Sequence, residues 1–144
     1  MSIKSILATK SRHVITVNPE QTLADAVELL SRHNIGVLVV TGSKGNIVGI
    51  ISERDVVHQA ALNRDVFSLK VSDVMTREVI VGVPEDDVMS VAHTMTERRF
   101  RHIPILDGGQ LIGIISIGDL LKAQRDQYRG QIDTLETQIM ADED

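Results

Sequence analysis

The chain has 144 residues, of which 42% are hydrophobic and only 2% aromatic, and its formal net charge at pH 7 is −5. A chain of this length and composition forms one compact domain, or one fused pair of subdomains, around an aliphatic core. It contains no cysteine, which excludes disulfides, thiolate metal sites and cysteine nucleophiles and favours a cytoplasmic location. The apolar stretches are strand length and the N-terminus lacks a signal-peptide run, so we expect no membrane partner.

The negative charge is concentrated at the C-terminus. Residues 131–144 contain five acids and neither Lys nor Arg: Asp133, Glu136, Asp142, Glu143 and Asp144. Those five acids account for the whole net charge of −5, so the rest of the chain is formally neutral. A neutral body lacks the basic face that nucleic-acid binding needs, and the composition therefore argues against a nucleic-acid partner.

The first predicted elements are a short strand at 14–17 and a helix after Pro19. Thr22 and Asp25 have the spacing of a capping box at the start of that helix. Its apolar residues recur at i, i+3, i+4 and i+7, the pattern of one buried face: Leu23, Ala26, Val27 and Leu30.

Two apolar strands at 37–40 and 47–51 follow, joined by a turn rich in Gly, Ser and Asn, so we predict a hairpin. A second helix is expected to begin at Ser52-x-x-Asp55, because serine at this position is a common N-cap. The predicted unit is therefore β-α-β-β-α.

The unit then repeats. Gly49-Ile50-Ile51-Ser52-Glu53-Arg54-Asp55 returns as Gly113-Ile114-Ile115-Ser116-Ile117-Gly118-Asp119, and Pro19 aligns with Pro84. A period this long indicates a duplicated domain and not a solenoid. The second copy has a strand at 79–82, a helix with Val88, Val91, Ala92 and Met95 on one face, and hairpin strands at 102–106 and 111–115. We predict an α/β fold (α+β type) with repeats at 1–62 and 79–125, a connecting segment at 63–78 and an extension at 126–144.

A long final helix is predicted after Asp119. Five apolar residues follow one another at intervals of 7, 4, 3 and 4 residues: Leu121, Tyr128, Ile132, Leu135 and Ile139. This is a short heptad-like stripe interrupted by Gly130. Two interpretations stay open, a helix that lies on its own body and a helix that contacts a second copy.

The Ser-x-x-Asp motif also has chemistry to offer. An ionised carboxylate accepts hydrogen bonds from both hydroxyls of a ribose, which suits Asp55 and Asp119. Helix N-termini, where Ser52 and Ser116 lie, favour phosphate, and Gly49 and Gly113 are expected to let a ligand approach the backbone. The ordinary alternative is that Ser-x-x-Asp only caps a helix, and a duplicated fold duplicates its caps.

Four segments carry a resemblance to a known family. They are Gly49-Ile50-Ile51-Ser52-x-x-Asp55, Gly113-Ile114-Ile115-Ser116-x-x-Asp119, Ser72-Asp73-Val74-Met75-Thr76 and Phe100-Arg101-His102-Ile103-Pro104-Ile105. By order, spacing and duplication the chain resembles a tandem CBS-domain pair, or Bateman module, and above all the small stand-alone bacterial members. The resemblance covers nearly the whole chain. It implies an intramolecular pseudo-dimer of the repeats, two clefts for adenosine-containing ligands (AMP, ADP, ATP, S-adenosylmethionine or NAD(H)) and a homodimer.

The resemblance also implies roles for individual residues. Ribose binding falls to Ser52, Asp55, Ser116 and Asp119, and phosphate binding to Arg101 and His102. Since the first copy has Gly36 and Val37 at the positions of Arg101 and His102, we expect two unequal clefts.

Arg101 and His102 are expected to serve the cleft of Ser116 and Asp119, with adenine near residues 35–37. The cleft of Ser52 and Asp55 is expected to draw positive charge from elsewhere. The candidates are Arg54, Lys10 and Arg12. Expected adenine or backbone contacts are Ile35, Gly36, Val37, Ile50, Ile103, Pro104 and Ile114.

The leading hypothesis is a non-catalytic adenine-nucleotide sensor (AMP, ADP, ATP or NAD(H)) whose repeats or dimer rearrange on binding and regulate a protein partner that the sequence does not identify. The alternatives are a structural adaptor or dimerisation protein with vestigial clefts, an enzyme, and a nucleic-acid binder that uses residues 98–102. The sequence has no P-loop, nucleophile elbow or metal-ligand spacing. We therefore expect no catalytic residue, no metal site and no catalytic cofactor.

Overall fold

The fold follows from a computed structural model that describes residues 1–10 and 13–143, with side chains up to residue 139. The predicted mixed α/β class is confirmed. The elements are α1 (Ile3–Leu7), β1 (Thr16–Val17), α2 (Leu23–His33), β2 (Val37–Thr41), β3 (Ile47–Ser52), α3 (Glu53–Leu62), a 3-10 turn (Val66–Ser68), α4 (Val71–Val74), α5 (Val88–Arg98), β4 (His102–Asp107), β5 (Gln110–Ser116) and α6 (Ile117–Glu143).

Each repeat has one small sheet. In the first, β1 is parallel to β2, which is antiparallel to β3. In the second, β4 and β5 are antiparallel, and Gly82 alone stands where β1 stands in the first copy. Gly82 donates to the Pro104 carbonyl and accepts from the Leu106 N–H, both at 2.9 Å. The predicted strand at 79–82 is therefore reduced to a single β-bridge at Gly82. Val79 and Ile80 instead line a cleft.

The predicted helix starts are confirmed by their hydrogen bonds. The Thr22 N–H donates to Asp25 Oδ2 at 3.0 Å, and the Asp25 N–H donates to Thr22 Oγ1 at 3.3 Å. The Ser-x-x-Asp motif forms the same reciprocal box at α3 and at α6. The motif therefore caps its helices whatever else it does.

The chain has two hydrophobic cores, and each is completed from the other half of the sequence. Val71 and Met75, from the segment that leads into the second repeat, are buried in the first core. Ile3 and Ile6, at the start of the chain, are buried in the second core. The cores therefore do not follow the predicted segments 1–62 and 79–125.

The two short helices are held in matching positions. Ile3 and Lys4 donate their N–H groups to the carbonyls of Asp86 and Pro84, and Val71 and Ser72 donate theirs to Gln21 and Pro19, over 2.8–3.0 Å. α1 therefore packs on the second repeat in the same way as α4 packs on the first.

The packing of α1 on the second core and of α4 on the first also fills the space next to the two motif glycines, Gly49 and Gly113. A Cβ at Gly49 would lie 2.6 Å from Met75 Sδ and 3.0 Å from the Thr76 carbonyl oxygen. A Cβ at Gly113 would lie 2.6 Å from a Leu7 methyl. The expectation that these glycines admit a ligand was wrong, because protein atoms already occupy the space that each leaves.

The last helix leaves the body of the protein. Leu120 is fully buried and Ala123 packs on the second core, whereas every described side chain from Arg125 to Ile139 is exposed. This exposure excludes a helix that lies along its own body over that range. Within the described residues, no helix is long and apolar enough to cross a membrane.

Candidate functional site

A cleft of about 790 Å³ lies where the two repeats meet. The first repeat contributes Ser52, Arg54 and Asp55 around the start of α3, and the second contributes Arg101 and His102 at the start of β4. The sheets explain this placement, because Val37 pairs with Ser52 and His102 pairs with Ser116. The start of each hairpin therefore lies beside the start of a capped helix.

Asp55 uses one carboxylate oxygen as a cap. Its Oδ2 accepts from the Ser52 N–H at 2.9 Å, while its own N–H donates to Ser52 Oγ at 3.2 Å. No cation among the described residues lies within ion-pair distance of Asp55. The half-buried carboxylate thus keeps acceptor capacity toward the cleft that it lines.

Asp119, the counterpart of Asp55, has the same cap and an additional partner. Lys10 Nζ donates to Asp119 Oδ2 at 2.7 Å and to the Ile114 carbonyl at 2.8 Å. Burial tends to raise the pKa of Asp119, but the hydrogen bonds from Lys10 and Ser116 outweigh it and lower that pKa below its usual value. Both side chains of the pair are largely covered, with 32% of Lys10 and 25% of Asp119 exposed.

The two motif carboxylates therefore have different surroundings. Lys10 forms an ion pair with Asp119, whereas no described cation forms one with Asp55. Lys10 reaches Asp119 because α1, which precedes it in the chain, packs on the second core.

Basic residues line much of the cleft and form its basic wall: Arg54, Arg98, Arg99, Arg101 and His102. The acids that line it are Glu53, Asp55 and Glu78. Arg99 has a left-handed backbone, with φ of 59°, which is uncommon for a residue with a long side chain.

His102 is the half-buried member of the basic wall. Burial, followed by the positive charge of Lys10, lowers the pKa of His102 below 6.5, and Arg101 adds to the effect. Asp119 and Glu53 oppose the shift without reversing it. His102 is therefore harder to protonate than an exposed histidine.

Two of the predicted phosphate-binding residues, Arg101 and His102, line the cleft of Ser52 and Asp55. They also adjoin the Ser116 helix start, because His102 pairs with Ser116 and the Ile117 N–H donates to the Arg101 carbonyl at 2.9 Å. Their assignment to the cleft of Ser116 stays a prediction. Lys10 lies at Asp119 and not at Asp55, because α1 packs on the second repeat. Arg54 lines the cleft as expected, and Arg12 lies outside the described residues.

Some of the expected adenine and backbone contacts line the cleft and others do not. Gly36, Val37 and Ile50 line the cleft. The other four do not: Ile35 packs against the first core, Ile103 and Pro104 are buried, and the Ile114 carbonyl accepts from Lys10.

An apolar part of the lining was missed at the sequence level. Val79, Ile80 and Phe100 lie in the cleft together with Thr76. This lining depends on long-range packing, including that of α1 on the second core and of α4 on the first. No local pattern in the sequence indicates it. The described residues contain no group of three metal-ligating side chains.

This pair of fused repeats around a shared cleft defines a tandem ligand-binding module. The CBS-domain family model matches residues 3–61 and 71–126, so the chain belongs to the CBS-domain family. An uncharacterised 17.7 kDa protein of Acidianus ambivalens is 43% identical over 131 residues, 90% of this chain and 76% of that one.

Solved structures agree with this assignment. The CBS-domain protein ATU1752 of Agrobacterium tumefaciens has a TM-score of 0.81 at 38% identity, over 85% of this chain and 92% of its own. The CBS-domain pair of MJ0100, solved with 5-methylthioadenosine and S-adenosyl-L-methionine, has a TM-score of 0.77 at 26% identity, over 88% of this chain and 98% of its own.

Proposed function

We propose that the chain is a non-catalytic sensor of adenine nucleotides and binds them in the cleft of Ser52 and Asp55. The observation that carries the proposal is a motif carboxylate that has no ion pair with any described residue and lines one cleft together with four arginines. Asp55 accepts from the ribose hydroxyls, and the arginines, which suit phosphate oxygens in pairs, bind the phosphates. The complex of MJ0100 with adenosine-containing ligands supports this ligand class.

The ligand contacts both repeats in this arrangement. Asp55 belongs to the first and Arg101 to the second, and Val79, Ile80 and Phe100 offer an apolar surface for the base. A ligand that bridges two bodies shifts their relative orientation when it binds one orientation more tightly than another. We infer that this shift, transmitted within a homodimer or to a cytoplasmic partner protein, is the regulatory output.

Calorimetric titration and thermal unfolding test the proposal. AMP, ADP, ATP and NADH at millimolar concentration are expected to raise the melting temperature, because a ligand that binds only the folded state stabilises it by mass action. S-adenosylmethionine, which carries no phosphate, is expected to bind more weakly than ATP. No stabilisation by any nucleotide would leave the adaptor or dimerisation function, which the exposed α6 favours, as the better account.

Lys10 determines the stoichiometry in this proposal. Since its ammonium group occupies Asp119, the wild-type chain is expected to bind one nucleotide. Lys10→Met frees the Asp119 carboxylate, and titration calorimetry is expected to detect a second, weaker site. Lys44→Met, in the exposed turn of the first hairpin, is the matched control and leaves one site. Two equal sites in the wild type would contradict the assignment.

The affinity for phosphate is expected to depend on pH through His102. Because its pKa is lowered, the imidazole carries less positive charge near pH 7 than an exposed histidine and gains charge as the pH falls. ATP affinity is therefore expected to increase by roughly tenfold between pH 7.5 and pH 5.5, the contribution of a charge-assisted hydrogen bond. His102→Asn removes the increase, and calorimetry on both proteins cancels the titration of the phosphate itself.

The lowered pKa of His102 also makes the stability of the ligand-free protein depend on pH. Below pH 6.5 the unfolded chain takes up a proton at His102 that the folded chain resists, so this contribution to stability is lost as the pH falls.

A wild-type ATP affinity that stays constant from pH 7.5 to 5.5 would show that His102 does not contact phosphate.

A further inference from the structure

The projecting part of α6 carries an apolar stripe that no described residue of the chain covers. Tyr128, Ile132, Leu135 and Ile139 are each 54–60% exposed. Their intervals place Tyr128 and Leu135 at heptad position d and Ile132 and Ile139 at position a. Monomeric proteins rarely expose a continuous apolar strip of this kind without a partner.

The flanking positions have a distinct composition. The three e positions hold Lys122, Arg129 and Glu136, and the three g positions hold Gln124, Gln131 and Gln138. Charges at e and g determine partner orientation in coiled coils. Because the g positions are neutral, the charges at the e positions decide the orientation. In an antiparallel pair, the e residues of one helix meet the e residues of the other.

The charges favour an antiparallel pair of identical helices. With Tyr128 against Ile139 and Ile132 against Leu135 of a second copy, Arg129 meets Glu136 of that copy, and the symmetry repeats the pair. In a parallel pair the e residues meet only glutamines, and Arg125, at position a, faces its own counterpart at the core. Like charges in contact are destabilising. The parallel pair therefore lacks the ion pairs between Arg129 and Glu136 and also places two arginines together at its core.

The geometry leaves room for both bodies. The overlap from Tyr128 to Ile139 runs about 17 Å along the axis and begins about 7 Å beyond Ala123, the last apolar residue of α6 that packs on the body. The two bodies then lie at opposite ends of the paired helices. Gly130 falls at position f, on the outer face, where it does not interrupt the stripe.

We propose that residues 128–139 of α6 pair with the same residues of a second copy as an antiparallel two-helix coiled coil. The interface joins two CBS modules through a contact that is separate from the nucleotide cleft. The occupant of the stripe is thus a second copy of this chain. A partner protein with its own apolar helix is the competing occupant.

Charge reversal tests both the partner and the orientation. Arg129→Glu and Glu136→Arg are each expected to raise the dissociation constant of the α6 contact about tenfold, as measured by sedimentation equilibrium. The double variant Arg129→Glu with Glu136→Arg is expected to restore it to within about threefold. Thr134→Glu, which adds charge at position c of the same segment, is the matched control and leaves it unchanged. Single variants without effect would overturn the antiparallel pairing.

Engineered thiols give an independent readout, because the chain has no cysteine of its own. A mixture of Tyr128→Cys and Ile139→Cys proteins is expected to form a disulfide-linked heterodimer under mild oxidation, whereas either protein alone does not. Cross-linking of each variant with itself would indicate a parallel pair and overturn the orientation. No cross-linking in any combination would overturn the proposal and point to a different occupant.

Discussion

Asp55→Asn is expected to weaken nucleotide binding about 50- to 100-fold, whereas Asp119→Asn is expected to leave it within about threefold of wild type. Asparagine keeps an oxygen for the Ser52 N–H but loses the negative charge and one acceptor. Each hydrogen bond to a charged group contributes roughly 1.5–3 kcal/mol, and losing the charge-assisted bonds to ribose accounts for the effect. Titration calorimetry with ATP measures both variants.

The two aspartates form a matched pair. Both take part in the same reciprocal capping hydrogen bonds, and an asparagine oxygen keeps the bond from the serine N–H in either variant. A difference between them in binding therefore reports the ligand and not the fold. If Asp119→Asn abolished binding and Asp55→Asn did not, the nucleotide would lie in the cleft that Lys10 occupies here.

Gly49→Ala is expected to lower the free energy of unfolding by about 2–3 kcal/mol, within the range of an overpacked core. The new methyl would meet Met75 Sδ and, at 3.0 Å, the Thr76 carbonyl oxygen. Thr76 is bound to Ile50 by two backbone hydrogen bonds of 2.9 Å and has little freedom to move. Urea unfolding measures the change.

Gly113→Ala is the matched control for this prediction, because it stands at the same position of the second copy. Its new methyl would meet only a Leu7 methyl, the end of a side chain that can change rotamer. We expect a loss below about 1 kcal/mol. Equal losses at the two glycines would show that the backbone around Thr76 adjusts as readily as a leucine side chain.

Much of the local structure was accessible from the sequence. The capping boxes at Thr22 and at Ser52 depend on residues three positions apart, and the buried face of α2 depends on the helical period. Interactions over so few residues are encoded in spacing, so both were predicted correctly. The duplication of Gly-Ile-Ile-Ser-x-x-Asp identified the pair of repeats for the same reason.

The grouping of residues in the cleft was not accessible in this way. Arg101 and Asp55 line one cleft although they belong to different repeats, and Lys10 meets Asp119 because α1 packs on the second repeat. Residues 10 and 119 are brought together by apolar contacts of Ile3 and Ile6, which leave no local pattern in the sequence.

The sequence by itself determined the two copies, their helices and hairpins, and the carboxylate that each copy presents. The tertiary structure decided which carboxylate is open. Short-range hydrogen bonds and periodicity depend on neighbours along the chain, whereas the exchange of α1 and α4 depends on which core buries each helix. The identical motifs at Asp55 and Asp119 thus acquired different surroundings, because Lys10 forms an ion pair with Asp119 and no described cation forms one with Asp55.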